Sequence, residues 1–206
     1  MSEEVYREKP CLLYRFVRSL SRALFCTLFP VKYEGTEHIR NAEAPFILIS
    51  NHRHALDPLA LASRYPRGQV FFVGKKELTK SRLGNWFCRT MGMIGVDRHN
   101  SDLAAMRSCL KVLRSGGVLG IFPEGTRHHD KDMDKLESGA FLIALRSKVP
   151  LQPVFIAGTL RLFRKTRIIF GERIVPEDLW EEGTSNQQVE KLTDRVREAV
   201  LALNKK

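Results

Sequence analysis

The sequence predicts an α/β fold in which a mostly parallel or mixed central sheet is covered by helices. From residue 31 onward, short apolar segments typical of buried strands alternate with longer segments of helical periodicity. The chain has 206 residues, of which 43% are hydrophobic, enough for one domain with a sizeable core. It contains no internal repeat, low-complexity stretch or linker that would divide this body. We therefore predict one domain over residues 31–206, preceded by an amphipathic helical segment over residues 1–30.

Seven segments carry the apolar, β-branched and aromatic residues that favour strands. In chain order they are VKYEG (31–35), APFILIS (44–50), GQVFFVGK (68–75), MIGVDR (93–98), VLGIFPEG (118–125), VPLQPVFIAG (149–158) and TRIIFGERI (166–174). Helical periodicity predicts helices at residues 11–29, 57–65, 86–92, 102–116, 138–147 and 187–203. Asp57 is expected to be the N-cap of the second helix, with Pro58 at its first position.

The charge and cysteine content limit the environment of the chain. Lys and Arg number 34 against 23 Asp and Glu, a net charge of +11, which indicates an anionic partner such as nucleic acid, a phosphorylated metabolite or an acidic membrane surface. The four cysteines show no CxxC spacing, so buried or half-buried thiols in a reducing compartment are expected, and a catalytic thiol has no support. The first residues, MSEEVYREKP, do not resemble a cleavable signal, which favours the cytoplasmic side.

Residues 11–29 form the most apolar segment of the chain. At helical spacing, a polar stripe lies opposite an apolar face: the stripe is Arg15, Arg18, Ser19 and Arg22, and the face is Leu13, Val17, Leu20, Leu24 and Leu28. Three arginines make this segment unsuitable for spanning a bilayer. Two interpretations remain: a helix lying in the membrane interface, which the mixture of arginines and aromatic residues favours, or a helix packed on the protein core.

Polar residues follow three of the predicted strands. His52 comes after APFILIS, Asp97 and Arg98 end MIGVDR, and Glu124 to Arg127 follow VLGIFP. Because ligands and active sites of open α/β sheets gather at the carboxyl ends of strands, these residues are expected to converge on one edge.

The stretch NHRHALD (51–57) places His52 and Asp57 with four residues between them. An aspartate bonded to one ring nitrogen fixes the tautomer of a histidine, whose other nitrogen can then remove a proton from a hydroxyl. The chain has no serine in an elbow motif, so the nucleophile would be the hydroxyl of a substrate. The alternative is that Asp57 caps a helix and His52 has no role. A metal site at His54 and Asp57 is disfavoured, because no second cluster of ligands has a defined spacing.

The stretch FPEGTR (122–127) is a candidate phosphate site. Gly125 allows close backbone approach, Thr126 offers an N–H and a hydroxyl, and Arg127 offers a planar fork of donors. Arg98 and Lys75, at the ends of two other predicted strands, would add positive charge. No P-loop motif is present, and the alternative is an ordinary turn with a surface arginine.

These motifs together resemble the glycerolipid acyltransferases, in particular the lysophosphatidate acyltransferase group. NHRHALD is similar to the family's N-H-x-x-x-x-D block, MIGVDR to its second block, FPEGTR to its third and VPLQPV (149–154) to its fourth, in the family's order. Gly95 replaces a bulkier apolar residue, and Ser138 stands where a lysine is common. The chain lacks the spanning helices of many relatives, and its N-terminal helix resembles the membrane-docking helices of compact bacterial members.

The resemblance implies transfer of a fatty acyl group from acyl-CoA or acyl-carrier protein to the hydroxyl of lysophosphatidate. His52 would be the base and Asp57 would orient it, Arg98 and Arg127 would hold the phosphate, and Glu124, Gly125 and Thr126 would shape the glycerol site. No metal or other cofactor is expected, and neither is a nucleic-acid partner. The expected location is the cytoplasmic face of a membrane. Another acceptor (glycerol 3-phosphate, a lysophospholipid or an amino-acid lipid) and a non-catalytic basic module that binds membranes or nucleic acid remain as alternatives.

Overall fold

The computed structural model describes residues 10–76, 81–96, 103–126 and 133–205. Within them lie seven strands: β1 (Val31–Glu34), β2 (Phe46–Ser50), β3 (Val70–Lys75), β4 (Met93–Val96), β5 (Val118–Ile121), β6 (Leu151–Ala157) and β7 (Thr166–Phe170). The helices are α1 (Leu12–Thr27), α2 (Thr36–Arg40), α3 (Asp57–Ala62), α4 (Arg82–Thr90), α5 (Leu103–Arg114), α6 (Ser138–Ser147), α7 (Glu177–Glu181) and α8 (Asn186–Ala202). Every predicted strand is present.

The strands form one mixed sheet in the order β1-β7-β6-β2-β5-β3-β4. All neighbouring strands are parallel except β6 and β7, which are antiparallel. Helices connect the parallel strands, whereas β6 and β7 are joined by a short turn, and only antiparallel strands can be joined in that way. The α/β fold with a mixed central sheet covered by helices is therefore confirmed.

Two apolar layers cover the sheet. On one face, residues of β2, β3, β6 and β7 pack with α1, α2 and α3 around buried side chains such as Phe25, Ile39 and Leu61. On the other face, residues of the same sheet pack with α5, α6 and α8 around side chains such as Phe141 and Val196. Because β2 and β5 lie between two apolar layers, their side chains are buried at nearly every position, as the continuous apolar run FILIS predicts.

Helix α1 is bound to the body by one of its faces. Tyr14, Ser21 and Phe25 are buried on that face. Burial raises the pKa of the Tyr14 hydroxyl, whose oxygen accepts a hydrogen bond of 3.1 Å from the N–H of Val70. Arg18 belongs to the same face, since its guanidinium donates to the carbonyls of Tyr65, Pro66 and Gly68. The predicted polar stripe is therefore wrong for Arg18, which caps the open carbonyls beyond α3.

The other face of α1 is apolar and exposed. Leu12, Phe16 and Leu20 follow one another at the spacing of one helical turn, and Phe16 is 65% exposed. Leu20, predicted on the same face as Val17 and Leu24, is thus separated from them: those two are half-buried and Leu20 is exposed. One face of α1 packs on the core while a second apolar face has no partner among the described residues. No helix in the described part of the chain is long and apolar enough to cross a membrane.

Candidate active site

His52 and Asp57 form a hydrogen-bonded pair at the carboxyl end of β2. The Nδ1 atom of His52 lies 2.9 Å from Oδ2 of Asp57. The Asp57 side chain is fully buried and 15% of the His52 side chain is exposed. Because a carboxylate oxygen only accepts, Nδ1 carries the proton and donates it. The Nε2 atom of His52 is therefore the unprotonated nitrogen of the neutral ring, as a general base requires.

Asp57 is held in place by the loop that precedes it. Its Oδ2 atom also accepts hydrogen bonds of 2.7 Å from the N–H groups of Arg53 and His54. The prediction that Asp57 is an N-cap is wrong: the N-cap position is Leu56, Asp57 is the first helical residue, and its carboxylate turns back toward the loop. Pro58 lies in the first turn as predicted. Residues 52–57 thus wrap around one oxygen atom, which fixes the histidine ring relative to α3.

Glu124, which follows β5, ties two loops together beneath this pair. Its Oε2 accepts a hydrogen bond of 2.8 Å from the N–H of His52, and its Oε1 accepts one of 2.7 Å from the N–H of Met133. Glu124 is 5% exposed. The sequence predicts Glu124 in the glycerol site, and the structure brings it to the backbone of the predicted base. The carboxylate therefore positions the loop that carries His52.

Asn51 is a buried positioning residue that the sequence analysis missed. Its Nδ2 donates to the carbonyl of Ile156 at 3.0 Å, and its Oδ1 accepts from the N–H of the same residue at 2.8 Å. The side chain thus continues the β2–β6 ladder at the point where β2 ends. The available signal was the asparagine that opens NHRHALD, a short polar side chain directly after a continuous apolar run. The hydroxyl of Ser50 lies 3.5 Å from Oδ1 of Asn51.

A stack of aromatic rings supports the ring of His52. The ring of Phe122 lies parallel to that of His52, with centroids 4.2 Å apart, and the ring of Phe72 lies on Phe122 at 5.8 Å. Phe72 in β3 is paired with Gly120 in β5, where a Cβ atom would overlap the Phe72 ring. The glycine therefore makes room for the lower ring. This stack fixes the plane of the imidazole from below, while Asp57 fixes it from the side.

Of the remaining predicted site residues, the structure describes Gly125, Thr126 and Lys75. Gly125 has a left-handed backbone (φ 67°), which only glycine adopts readily, and Thr126 beside it is exposed. Lys75, the last residue of β3, is also exposed. Arg98 and Arg127 lie outside the described residues, although β4 and β5, the strands before them, run parallel to β2.

His54, which the sequence analysis disfavours as a metal ligand, makes a hydrogen bond within its own loop. Its Nδ1 accepts a hydrogen bond from the N–H of Leu56, and its ring lies 6.2 Å from that of Phe29. Among the residues that the structure describes, no group of three or more His, Cys, Asp and Glu side chains is arranged to hold a metal ion. The four cysteines are free, and Cys26 is exposed, so the expectation of burial is wrong at that position. Cys26 lies on the outer side of α1, away from the buried face.

The mixed α/β sheet carries a His–Asp pair at its carboxyl edge, an arrangement that can act as a general base toward a hydroxyl group. The chain belongs to the acyltransferase family, whose profile matches residues 30–157. Residues 51–57, 122–126 and 149–154 all fall within that match.

Named proteins similar to this chain are also acyltransferases. The chain is 32% identical to the 1-acyl-sn-glycerol-3-phosphate acyltransferase of Streptococcus pneumoniae over 153 residues, which cover 73% of this chain and 56% of the relative. It is 28% identical to the human 1-acyl-sn-glycerol-3-phosphate acyltransferase alpha over 181 residues, covering 84% of this chain and 63% of that protein. The chain thus spans less than two thirds of the length of these two relatives.

A solved structure extends the comparison to the fold. The crystal structure of the 1-acyl-sn-glycerophosphate (LPA) acyltransferase PlsC from Thermotoga maritima is similar to this structure with a TM-score of 0.68 and 25% sequence identity. The similarity covers 94% of this chain and 79% of that one. The similarity in fold therefore extends over nearly the whole chain.

Proposed function

We propose that the protein transfers a fatty acyl group from acyl-CoA or acyl-carrier protein to the free hydroxyl of lysophosphatidate, giving phosphatidate. The observation that carries the proposal is the His52–Asp57 pair at 2.9 Å, placed within a chain of the acyltransferase family. The named relatives are 1-acylglycerol-3-phosphate acyltransferases, which supports this acceptor.

The proposed reaction is a direct transfer. The Nε2 atom of His52 accepts the proton of the acceptor hydroxyl as the oxygen attacks the carbonyl carbon of the thioester. The new C–O bond forms, the C–S bond breaks, and the imidazolium returns its proton to the departing thiolate. Asp57 stabilises the imidazolium while that proton is on the ring. A thiol is a good leaving group, so this scheme includes no metal, no other cofactor and no acyl-enzyme.

We propose a phosphate site beside the His–Asp pair. Arg98 and Arg127 would bind the phosphate monoester with two guanidinium forks, and the exposed Lys75 would add a third cation. Gly125 and Thr126 would line the glycerol site through backbone N–H groups and a hydroxyl. Support comes from topology, because β2, β5, β3 and β4 are parallel neighbours and their carboxyl ends meet at one edge.

The test is a transfer assay that measures free-thiol release for acyl-CoA and acyl-carrier protein against lysophosphatidate, glycerol 3-phosphate and a lysophospholipid with a head group. Lysophosphatidate should give a higher kcat/KM than the lysophospholipid, because two arginines favour a dianion over a phosphodiester. A higher kcat/KM with glycerol 3-phosphate, which is also a dianion, would assign the activity to that acceptor instead. Removing Arg98 or Arg127 should raise the KM for the acceptor and leave the KM for the donor nearly unchanged. If both variants lost donor affinity instead, the arginines would hold the phosphates of the donor.

We also propose that α1 docks the protein on the cytoplasmic face of a membrane. Its exposed side chains Leu12, Phe16 and Leu20 lie beside the exposed Arg15 and Arg22, the combination expected for a helix at an anionic lipid surface.

Deletion of α1 would not test its docking, since the helix also buries Phe25 in the core. Substituting Leu12 and Phe16 by serine removes only exposed surface and should lower vesicle binding. Unchanged binding of that variant would contradict a docking role for the helix.

A further inference from the structure

The turn between β6 and β7 carries two large exposed apolar side chains at its tip. Leu162 is 57% exposed and Phe163 is 74% exposed. Arg161 and Arg164 face each other across the turn in an isolated antiparallel bridge, so Leu162 and Phe163 are the two residues at its end. A solvated turn normally carries small or polar residues at these positions, and two bulky apolar ones need a separate explanation.

The backbone at Phe163 makes the choice of residue more unusual. Phe163 has a left-handed conformation (φ 57°) at the third position of the turn, where glycine or asparagine is the common residue. A bulky residue in this conformation costs about 1–2 kcal/mol. The Phe163 side chain therefore occupies a position where it does not stabilise the fold and where most of its surface is exposed.

Basic residues surround this apolar pair. Arg161, Arg164 and Lys165 are exposed, and none of them is in an ion pair within the described part of the chain. The segment RLFRK (161–165) thus presents two apolar side chains among three free cations. That combination matches an anionic lipid surface, where the apolar side chains enter the acyl region and the cations stay at the headgroups.

The turn is attached to the end of α1 nearest the candidate active site. The N–H of Phe163 donates to the carbonyl of Leu28 at 2.7 Å, directly after α1. The next residue, Phe29, lies against the ring of His54 in the loop that carries the His–Asp pair. The tip of the turn, the end of α1 and the loop that carries the His–Asp pair therefore lie next to one another in space, at one edge of the molecule.

We infer that the β6–β7 turn inserts Leu162 and Phe163 into an anionic membrane and holds the carboxyl edge of the sheet against the lipid surface. The inference rests on the proposed function only in expecting a membrane-borne acceptor. It names a second membrane contact, about 24 Å from the first residue of α1, since a helix of 16 residues has that length. Two contacts at the ends of one helix fix an orientation that a single contact leaves free.

The first experiment measures binding to phosphatidylcholine vesicles with and without phosphatidylglycerol, in the absence of donor and acceptor. The double variant Leu162→Ser/Phe163→Asn should bind anionic vesicles about tenfold or more weakly than the unchanged protein. The matched control is Leu103→Ser, because Leu103 is 60% exposed at the start of α5 on the opposite helical layer. The control should bind as the unchanged protein does.

A second pair of variants tests the cations. Arg164→Gln/Lys165→Gln should weaken binding to anionic vesicles by about fivefold per residue at low ionic strength, and less at high salt. Lys111→Gln/Arg114→Gln removes two exposed cations from α5 and is the matched control. It should have a smaller effect, because those cations lie on the other layer.

The single variant Phe163→Asn tests whether weaker vesicle binding is caused by a folding defect. Asparagine suits the left-handed conformation, so this variant should keep or raise the melting temperature while it weakens vesicle binding. Lower stability together with unchanged vesicle binding would overturn the inference.

Three other outcomes would also overturn the inference. They are unchanged binding of the double variant, an equal loss in Leu103→Ser, and a change in oligomeric state of the double variant without a change in vesicle binding, which would make the tip a contact between two copies. Because binding is measured without catalysis, its result stands apart from the transfer assay. An inactive unchanged protein whose tip variants still lose vesicle binding would contradict the proposed function alone.

Discussion

Replacing Asp57 by asparagine removes the charge of the carboxylate and keeps its shape. In the structure, Oδ2 of Asp57 accepts three hydrogen bonds, from Nδ1 of His52 and from the N–H groups of Arg53 and His54. An asparagine oxygen in the same place can accept the same three bonds. The substitution therefore tests mainly the contribution of the negative charge to stability and to catalysis, although it also places a buried amide NH2 where Oδ1 of Asp57 stands.

The expected loss of stability is moderate. A hydrogen bond to a charged group contributes about 1.5–3 kcal/mol and a neutral one about 0.5–1.5 kcal/mol, so three bonds lose about 3 kcal/mol. Because Asp57 is fully buried, removing its charge also removes a desolvation penalty, which offsets part of that loss. We expect the free energy of unfolding to fall by about 2 kcal/mol and the melting temperature by about 6 °C.

The expected loss of activity is much larger. Without the carboxylate, the imidazolium that forms during hydroxyl attack has no counter-charge. Comparable substitutions in His–Asp pairs lower kcat by about 10⁴-fold. We expect kcat/KM to fall by about 10³- to 10⁴-fold, a loss of about 4–5.5 kcal/mol of transition-state stabilisation. A loss of about 2 kcal/mol in stability leaves nearly all molecules folded, so unfolding cannot produce this effect.

The measurement is steady-state thiol release with lysophosphatidate, with circular dichroism and urea unfolding on the same samples. Val196→Ala is the matched control, because Val196 is fully buried in α8 on the opposite face of the sheet. It should lose stability to a similar extent and keep its activity at 25 °C. The reasoning is refuted if Asp57→Asn keeps kcat/KM within tenfold of the unchanged protein, or if Val196→Ala loses as much activity.

Other contacts give further expectations. Glu124→Gln keeps one of the two acceptor oxygens of Glu124. We therefore expect the free energy of unfolding, measured in urea, to fall by about 1–3 kcal/mol, and kcat to fall as well. Unchanged values would contradict a positioning role for Glu124. Iodoacetamide should label the exposed Cys26 in the native protein, but Cys88 only after unfolding, because burial blocks access and raises the pKa of the Cys88 thiol; mass spectrometry distinguishes them. The Arg195 guanidinium lowers the pKa of Asp178, so the pair stabilises the fold above the ordinary aspartate pKa and less as pH falls. The melting-temperature difference between Arg195→Met and the unchanged protein should therefore shrink in acid.

Local patterns predicted most of the elements, since each strand is a short apolar run and most helices show amphipathic periodicity. Two helices, α2 and α7, were missed because five residues are too few to establish a helical period. Helix α4 begins four residues before the predicted start, at Arg82, since Ser81 caps it by accepting a hydrogen bond from the N–H of Gly84. These differences arise from end effects that a hydrophobic pattern does not contain.

In the candidate site, contacts between residues close in the chain were predicted, whereas contacts between distant residues were not. His52 and Asp57 are close in the chain, and their spacing was sufficient to predict their contact. The pairing of Asn51 with Ile156 and of His52 with Glu124 joins residues that are 105 and 72 positions apart. Such contacts depend on the order of strands in the sheet, which the sequence pattern did not give. The exposed face of α1 was ambiguous for a similar reason, because both of its faces carry apolar residues.

Gly120 has a consequence for anyone who tries to alter the substrate range of this protein. It lies in the middle of the sheet and touches no proposed substrate, yet a methyl group there would push on Phe72, then on Phe122, and so tilt the plane of the imidazole. A library that varies only residues near His52 would leave this position out, although Gly120 affects the plane of the imidazole through the two phenylalanine rings. Variants at Gly120 should therefore lose both activity and stability, because the added side chain overpacks the buried Phe72 ring.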